Sequence, residues 1–228
     1  MIYSHTLIRN GEPFTKLIFR QVLPFVDKAL ITVSQKSNDG TLTSLDILQK
    51  EFPNKMVIDT ENVSHPSELT KERQKQLSKT PNNAWVLFLD ADDYWPISQL
   101  ELIKELLNED VDGLSVNPFQ IVNQDYHDIS WNRKYFLKWF INQKGVHYEK
   151  PWPRDLIFKG KEFLYWKVNP RVPKVNARYF HLSNLMSWKF RDESWATEYK
   201  AKLGTLSYFE RRWDEDIKKI YEAKNSIT

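Results

Sequence analysis

The sequence predicts an α/β fold, a mainly parallel sheet flanked by helices, with a C-terminal region of further strands and helices beside it. Three observations carry that prediction. Short apolar runs alternate with helix-spaced segments over residues 1–120, the pattern of parallel strands joined by right-handed helical crossovers. One run, Ala84-Trp85-Val86-Leu87-Phe88-Leu89, holds no charge and stops abruptly in Asp90-Ala91-Asp92-Asp93, as a strand buried on both faces does where it leaves the sheet. A length of 228 residues suffices for one sizeable core but not for two full domains.

Taken in order, Ile2–Leu7 makes a first strand, and Arg9-Asn10-Gly11-Glu12-Pro13 is turn chemistry opening a helix, with Pro13 in its first turn. Phe14, Leu17, Ile18 and Val22 recur at helical spacing, and Pro24 ends that helix. Ala29–Val33 is a second strand running into the polar loop Ser34-Gln35-Lys36-Ser37-Asn38-Asp39-Gly40-Thr41, which contains an Asp-Gly turn. Leu42, Leu45, Leu48 and Phe52 mark the next helix, Lys55–Asp59 a third strand, and Ser67–Lys79 a polar helix. After the central strand come a helix over Pro96–Leu107 and a strand over Leu114–Asn117.

Beyond residue 120 the alternation breaks down. Aromatic-rich strand candidates, Tyr135–Ile141 and Phe163–Val168, are separated by proline-rich loops at Pro151–Pro153 and Pro170–Pro173. From Ser187 to Ala223 the chain is charged and helix-permissive, with Trp195, Tyr199, Leu203, Leu206 and Phe209 spaced to pack one helical face.

Composition excludes several classes. The chain has no cysteine, so disulfides, zinc–thiolate sites and thiol catalysis are out. A net charge of +3 from 33 basic and 30 acidic residues is not the field of a dedicated nucleic-acid binder. Lys, Arg, Trp and Tyr do gather in the second half, which suits stacking on sugar rings or bases as well as a small core. No segment approaches the roughly eighteen apolar residues of a membrane span, and the N-terminus lacks a leader pattern, which predicts a soluble cytoplasmic protein. Neither a P-loop nor a dinucleotide fingerprint is present, which argues against kinases, ordinary NTPases and nicotinamide enzymes.

The carboxylates after Leu89 carry the chemistry. Open α/β sheets bind ligands at the carboxyl ends of their strands, and clustered Asp side chains are the hard oxygen ligands that Mg²⁺ or Mn²⁺ prefers. The same residues could instead simply cap the following helix.

With these residues in place, the first half resembles the family 2 glycosyltransferases and their relatives with the Rossmann-like GT-A fold. Arg9-Asn10-Gly11-Glu12 is similar to the Asn-Glu turn after that family's first strand, and Val33–Thr41 to its second-strand loop. Arg73 lies near the family's diphosphate-contacting Arg, and Trp85–Asp93 resembles the phrase ending in its Asp-X-Asp signature. Two positions depart: Ser34 stands where the family usually has an Asp for the nucleotide base, and Gln74 replaces the usual Asn beside the Arg. The resemblance implies a nucleotide-sugar-binding half over residues 1–120 and an acceptor-side half over residues 121–228, in one compact domain. It implies a donor site of Arg9, Glu12, Ser34, Asp39, Arg73, Asp90 and Ala91, with a UDP-sugar as donor. Mn²⁺ or Mg²⁺ would be held by Asp92, with Asp90 near it, and by His181, since relatives often place a His ligand at the end of a late strand.

Inverting transfer needs a carboxylate to take the acceptor hydroxyl's proton. Asp155 in Trp152-Pro153-Arg154-Asp155 is the first choice, ahead of Glu149 and the more distant Asp192-Glu193. The expected activity is metal-dependent hexosyl transfer to a hydroxyl of a glycan or glycolipid. The alternatives are glycosylation of hydroxylated bases in DNA, a nucleotidyltransferase, and a non-catalytic nucleotide or glycan binder on the same fold.

Overall fold

Residues 1–62, 66–107, 110–122, 125–128, 134–149, 156–165, 167–183, 206–208 and 213–226 are described by the computed structural model. The first half builds as its pattern predicts. Strands β1 (Ile2–Ile8), β2 (Lys28–Ser34), β3 (Met56–Glu61) and β4 (Trp85–Phe88) alternate with helices α1 (Thr15–Val22), α2 (Thr41–Glu51) and α3 (Pro66–Ser78). β1 lies between β2 and β4, β3 lies outside β2, and all three pairings are parallel. Of the helical faces predicted to be apolar, Phe14, Ile18 and Val22 join Leu45 and Leu48 in the main core, whereas Leu42, in the first turn of α2, is exposed. Helix α1 starts later than Pro13. Pro13 sits in a turn closed by the Phe14 N–H on the Gly11 carbonyl at 3.1 Å.

Beyond β4 the sheet changes character. After β5 (Asp93–Tyr94) and α4 (Ile97–Leu106), β6 (Gly113–Ile121), β7 (Tyr126–Asp128) and β8 (Phe136–Ile141) extend it. β8 pairs antiparallel with β4, placing Trp85 opposite Ile141 and Leu87 opposite Trp139, and its other edge pairs antiparallel with β6. An antiparallel β8 brings its own beginning to the carboxyl end of β4. β6 outruns the predicted Leu114–Asn117 because it is paired along both edges, by β12 (Lys174–His181) on one side and by β8 and then β7 on the other. Pro118 falls between the end of the β8 pairing at Val116 and the start of the β7 pairing at Gln120, where the absent N–H costs that edge no ladder bond.

A second, three-stranded antiparallel sheet comprises β9 (Val146–Glu149), β10 (Leu156–Lys159) and β11 (Glu162–Phe163). Its inner face, Val146, Tyr148 and Ile157, packs with Leu77, Val86, Phe140, Leu164 and Val172 in a smaller core. The predicted strand Phe163–Val168 stops at Phe163, because the N–H groups of Val168 and Asn169 turn back onto the Tyr165 carbonyl at 3.0 and 2.9 Å. The predicted C-terminal helical face also changes. Leu206 lies in strand β13 (Leu206–Tyr208), paired with β7, and the helix α5 spans Asp214–Asn225; Trp195, Tyr199, Leu203 and Phe209 lie outside the described residues. Helix α5 docks through Tyr94, whose hydroxyl donates to Asp216 at 2.6 Å and accepts from Gln21 at 2.9 Å. No helix among the described residues is long and apolar enough to cross a membrane.

Gly113 marks the tightest passage between β6 and β8. A Cβ there would lie 2.6 Å from the Trp139 carbonyl oxygen and 2.7 Å from a Leu137 methyl. The first of these neighbours is backbone and cannot rotate away, so Gly113→Ala is expected to cost about 1–3 kcal/mol, read as a shift in urea midpoint at unchanged slope.

Candidate active site

The site lies where β4 ends. Its last residues run into Leu89 and Asp90, a turn closed by the Asp93 N–H on the Asp90 carbonyl at 3.0 Å, and then β5. Strand β12 pairs antiparallel with β5 and sets His181 opposite Asp93. The Leu182 N–H bonds the Asp92 carbonyl at 2.7 Å. A residue 88 positions away in sequence is thus fixed over the carboxylates by backbone pairing.

The three aspartates differ in surroundings. Asp93 is fully buried, and both its oxygens are engaged: Oδ1 accepts from His181 Nδ1 at 2.9 Å, and Oδ2 accepts from Lys138 Nζ at 2.5 Å and from the Asp90 N–H at 3.3 Å. Asp90, with a side chain 38% exposed, accepts from Arg73 at 3.1 Å and from Lys138 at 2.7 Å. Asp92 is 16% exposed, its Oδ1 lying 3.8 Å from His181 Nδ1. The electrostatics follow from these contacts. The protein around Asp90 works against its charge, but Lys138 and Arg73 outweigh that and hold its carboxyl below the usual range. Asp92 goes the other way, pushed up by burial, against the pull of His181, with Asp93 and Asp90 adding to the rise. For His181, burial opposes the charge, yet Asp92 and Asp93 prevail and push it up to about 9.

Asp92, Asp93 and His181 each offer a ligand atom, all within 4.8 Å of one another. Carboxylate oxygens with one imidazole are a donor set that suits Mn²⁺ or Mg²⁺, so the residues fit the ion that the resemblance implies. The donors that reach the surface are Asp92 and His181, because Asp93 is enclosed. Asp90 is gathered into the same cluster but lies on its cationic side, between Arg73 and Lys138.

Arg73 is 2% exposed. Its guanidinium donates to the His5 carbonyl at 2.6 Å and to Asp90, and stacks over Phe88 with its central carbon 3.9 Å from the ring centre. It meets the site through Asp90.

The other residues that the resemblance assigns to the donor form a second group, at the ends of β1 and β2. The Glu12 N–H donates to Asp39 Oδ2 at 3.0 Å, Asp39 Oδ1 accepts from the Thr41 N–H at 3.0 Å, and the Gly11 N–H donates to the Thr41 hydroxyl at 2.8 Å. Asn10, at a φ of 56°, accepts from the Asn38 N–H at 2.9 Å, so the two loops are stitched into one surface. Glu12 Oε1 is buried with no hydrogen-bond partner among the described residues. Ser34 is buried, with its hydroxyl accepting from the Lys36 N–H at 3.2 Å; Arg9 is exposed, and Ala91 is half-buried in the turn.

Of the residues expected to act as the base, Glu149 lies on β9 in the second sheet, 48% exposed and bonded to His147 at 3.0 Å; its described contacts do not join it to the carboxylate cluster. Asp155, like Asp192 and Glu193, lies outside the described residues.

Lys138 is the site residue that sequence reasoning missed. It is 5% exposed and lies 5.1 Å from the ring centres of both Phe88 and Tyr179. The signal was a single charge inside the otherwise apolar Phe136-Leu137-Lys138-Trp139-Phe140-Ile141, a position that demands a buried partner.

Below the cluster, His5 is wholly buried, bonded to the Thr80 hydroxyl at 2.7 Å and the Tyr148 hydroxyl at 3.3 Å. Burial first, and Arg73 second, hold it well below the usual histidine range. The unfolded chain therefore takes this proton near pH 6.5 and the native state only at lower pH, so the contribution of His5 is present above pH 6.5 and lost as the pH falls further. His181, raised to about 9, works with the opposite sign, its contribution complete below pH 6.5 and lost as the pH rises toward 9. Together the two place a stability maximum near pH 6.5, with His5 setting the fall on the acid side and His181 the fall on the alkaline side. Relative to wild type, His5→Asn is expected to gain about 1 kcal/mol between about pH 7 and 5.5, measured by denaturant unfolding at both values.

A mostly parallel sheet, flanked by helices, with a carboxylate and imidazole cluster at the carboxyl end of its central strand defines a GT-A-class α/β protein. The chain belongs to glycosyl transferase family 2, whose model matches residues 13–182. No curated protein matches the sequence. Solved structures with similar folds include S. aureus TarS 1–349, at 16% identity over 54% of this chain and 36% of that one, with a TM-score of 0.44. The mannose-6-phosphate isomerase from Helicobacter pylori follows at 14% identity over 60% of each chain and a TM-score of 0.41. The inositol-1-phosphate CTP transferase from T. maritima gives 10% identity over 89% of this chain and 97% of that one, with a TM-score of 0.41. The chain thus spans about a third of the TarS structure's length.

Proposed function

We propose that this protein moves a sugar, a hexose, from a nucleotide-diphosphate sugar, with a UDP-sugar as first choice, to a hydroxyl of a glycan or glycolipid. The observation that carries the reading is the convergence of Asp92, Asp93 and His181 at the end of β4, within 4.8 Å of one another, on a family 2 chain. Asp92 and His181 would hold Mn²⁺ or Mg²⁺. When bound, the ion neutralises charge on the departing diphosphate. Asp90, fixed by Arg73 and Lys138, is placed to accept hydrogen bonds from donor hydroxyls, and Glu12 Oε1 offers a further acceptor on the donor-side loops.

In the reaction the acceptor oxygen attacks the anomeric carbon as the carbon–oxygen bond to the diphosphate breaks, and the nucleoside diphosphate leaves with the electron pair. A carboxylate takes the acceptor's proton, a role we assign to Asp155, and one displacement inverts the anomeric centre. The reading also carries a cytoplasmic location, with which a chain without cysteine is compatible. The test is a panel of nucleotide sugars incubated with and without Mn²⁺, reading nucleoside diphosphate. Metal-dependent release from one donor is expected; silence across the panel, with candidate acceptors present, would favour a non-catalytic binder.

A further inference from the structure

We propose that Lys138 is a positioning residue of this site: its ammonium fixes Asp93 so that the carboxylate aims the His181 ring at a divalent cation. The proposal rests on the metal reading above. Lys138 Nζ stands between two carboxylates, 2.5 Å from Asp93 Oδ2 and 2.7 Å from Asp90 Oδ2, and is walled by the rings of Phe88 and Tyr179. Asp93, fully buried, uses its remaining oxygen on His181 Nδ1 at 2.9 Å. A carboxylate behind a histidine is the arrangement that fixes the orientation of a metal-binding ring, and here that carboxylate, bonded to Nδ1, is itself held by Lys138. Take the ammonium away with nothing to donate in its place and the Asp90 and Asp93 oxygens face each other with no hydrogen-bond donor between them. Mutual repulsion then turns Asp93, and His181 loses its fixed orientation. Lys138 therefore acts on the metal through two residues and does not touch it.

The role can be told from a general charge effect by the sign of the result. Removing a positive charge beside a cation site should tighten Mn²⁺ binding if charge alone matters, whereas losing the orientation of His181 should weaken it. Mn²⁺ uptake by the metal-free protein, followed by electron paramagnetic resonance of the free ion, needs neither donor nor turnover. Lys138→Met is expected to weaken Mn²⁺ about 10–100-fold. Lys138→Gln, neutral but able to donate to both carboxylates, is expected to stay within about threefold of wild type. Equal binding by the Met and Gln variants, or Met binding as tightly as wild type, overturns the proposal. Should Lys138→Met not fold, Lys138→Arg takes its place. Its planar head keeps the charge but crowds the gap between the two rings, so weaker binding is expected, and wild-type binding by both Arg and Gln variants overturns the assignment. If the wild-type protein itself takes up no Mn²⁺, the metal reading falls and takes the proposal with it; indifferent variants of a metal-binding wild type sink the proposal alone.

Discussion

Lys138→Met is expected to lower the stability of the metal-free protein by about 3–5 kcal/mol, the cost of leaving one partner of a buried ion pair without the other. For a chain of this size that is a fall in Tm of roughly 10 °C. Packing is not the cause. Met is close to Lys in volume and suits a gap between the Phe88 and Tyr179 rings. The loss arises on the carboxylates: Asp93 has no exposure to water and would keep only His181 and the Asp90 N–H as partners, while Asp90 is part-exposed and retains Arg73. Two consequences separate this account from simple core damage. Adding Asp93→Asn to the Met variant should recover at least about 1 kcal/mol, because the uncompensated charge is gone and neighbouring changes couple. Substituting Met for Lys79, whose ion pair with Asp59 is exposed on both sides, should move the melt far less. A shift below about 3 °C for Lys138→Met would mean that the cluster gains nothing from the ammonium.

How much of this site could be read from the sequence depends on how local each contact is. β4 and its carboxylates were legible because an uncharged run ending in acidic residues is a one-segment signal, and the alternation before it fixed the parallel order of the first half. Arg73 and His181 could be placed only through the resemblance. His181 reaches Asp93 by a two-residue bridge between β12 and β5, which no spacing along the chain encodes. Lys138 was passed over because the order of residues along the chain does not say which strand its segment pairs with. Its meaning depends on the antiparallel pairing with β4, which delivers it beside Phe88 rather than to solvent. The same non-local pairing explains the overextended reading at Phe163–Val168. Aromatic content made that segment look like a strand, but after the Leu164 N–H meets the Ile157 carbonyl the backbone turns onto Tyr165. The C-terminal helical face failed at Leu206 for a like reason, since the unpaired edge of β7 captures that segment as a strand.

Asp92→Asn is expected to have the opposite profile to Lys138→Met: little or no loss of stability without metal, and a loss of metal response and turnover of about a hundredfold or more. The ionised Asp92 is a cost to the metal-free fold. Burial pushes its carboxyl up, with Asp93 and Asp90 adding to the rise against the pull of His181. A carboxyl raised in the folded state binds its proton more tightly there than in the unfolded chain, so at neutral pH its charge subtracts from stability, and a neutral amide removes that subtraction. The difference can be measured without any donor sugar. At Mn²⁺ about a hundred times its dissociation constant, binding to the native state alone adds about 2.7 kcal/mol, so the wild-type melt should rise by roughly 5–10 °C while that of Asp92→Asn stays nearly still. If both melts rise together, the ion sits elsewhere and the assignment of Asp92 is wrong. If neither rises, and Asp92→Asn is instead the less stable protein, then the carboxylates at the end of β4 serve the fold and not a metal.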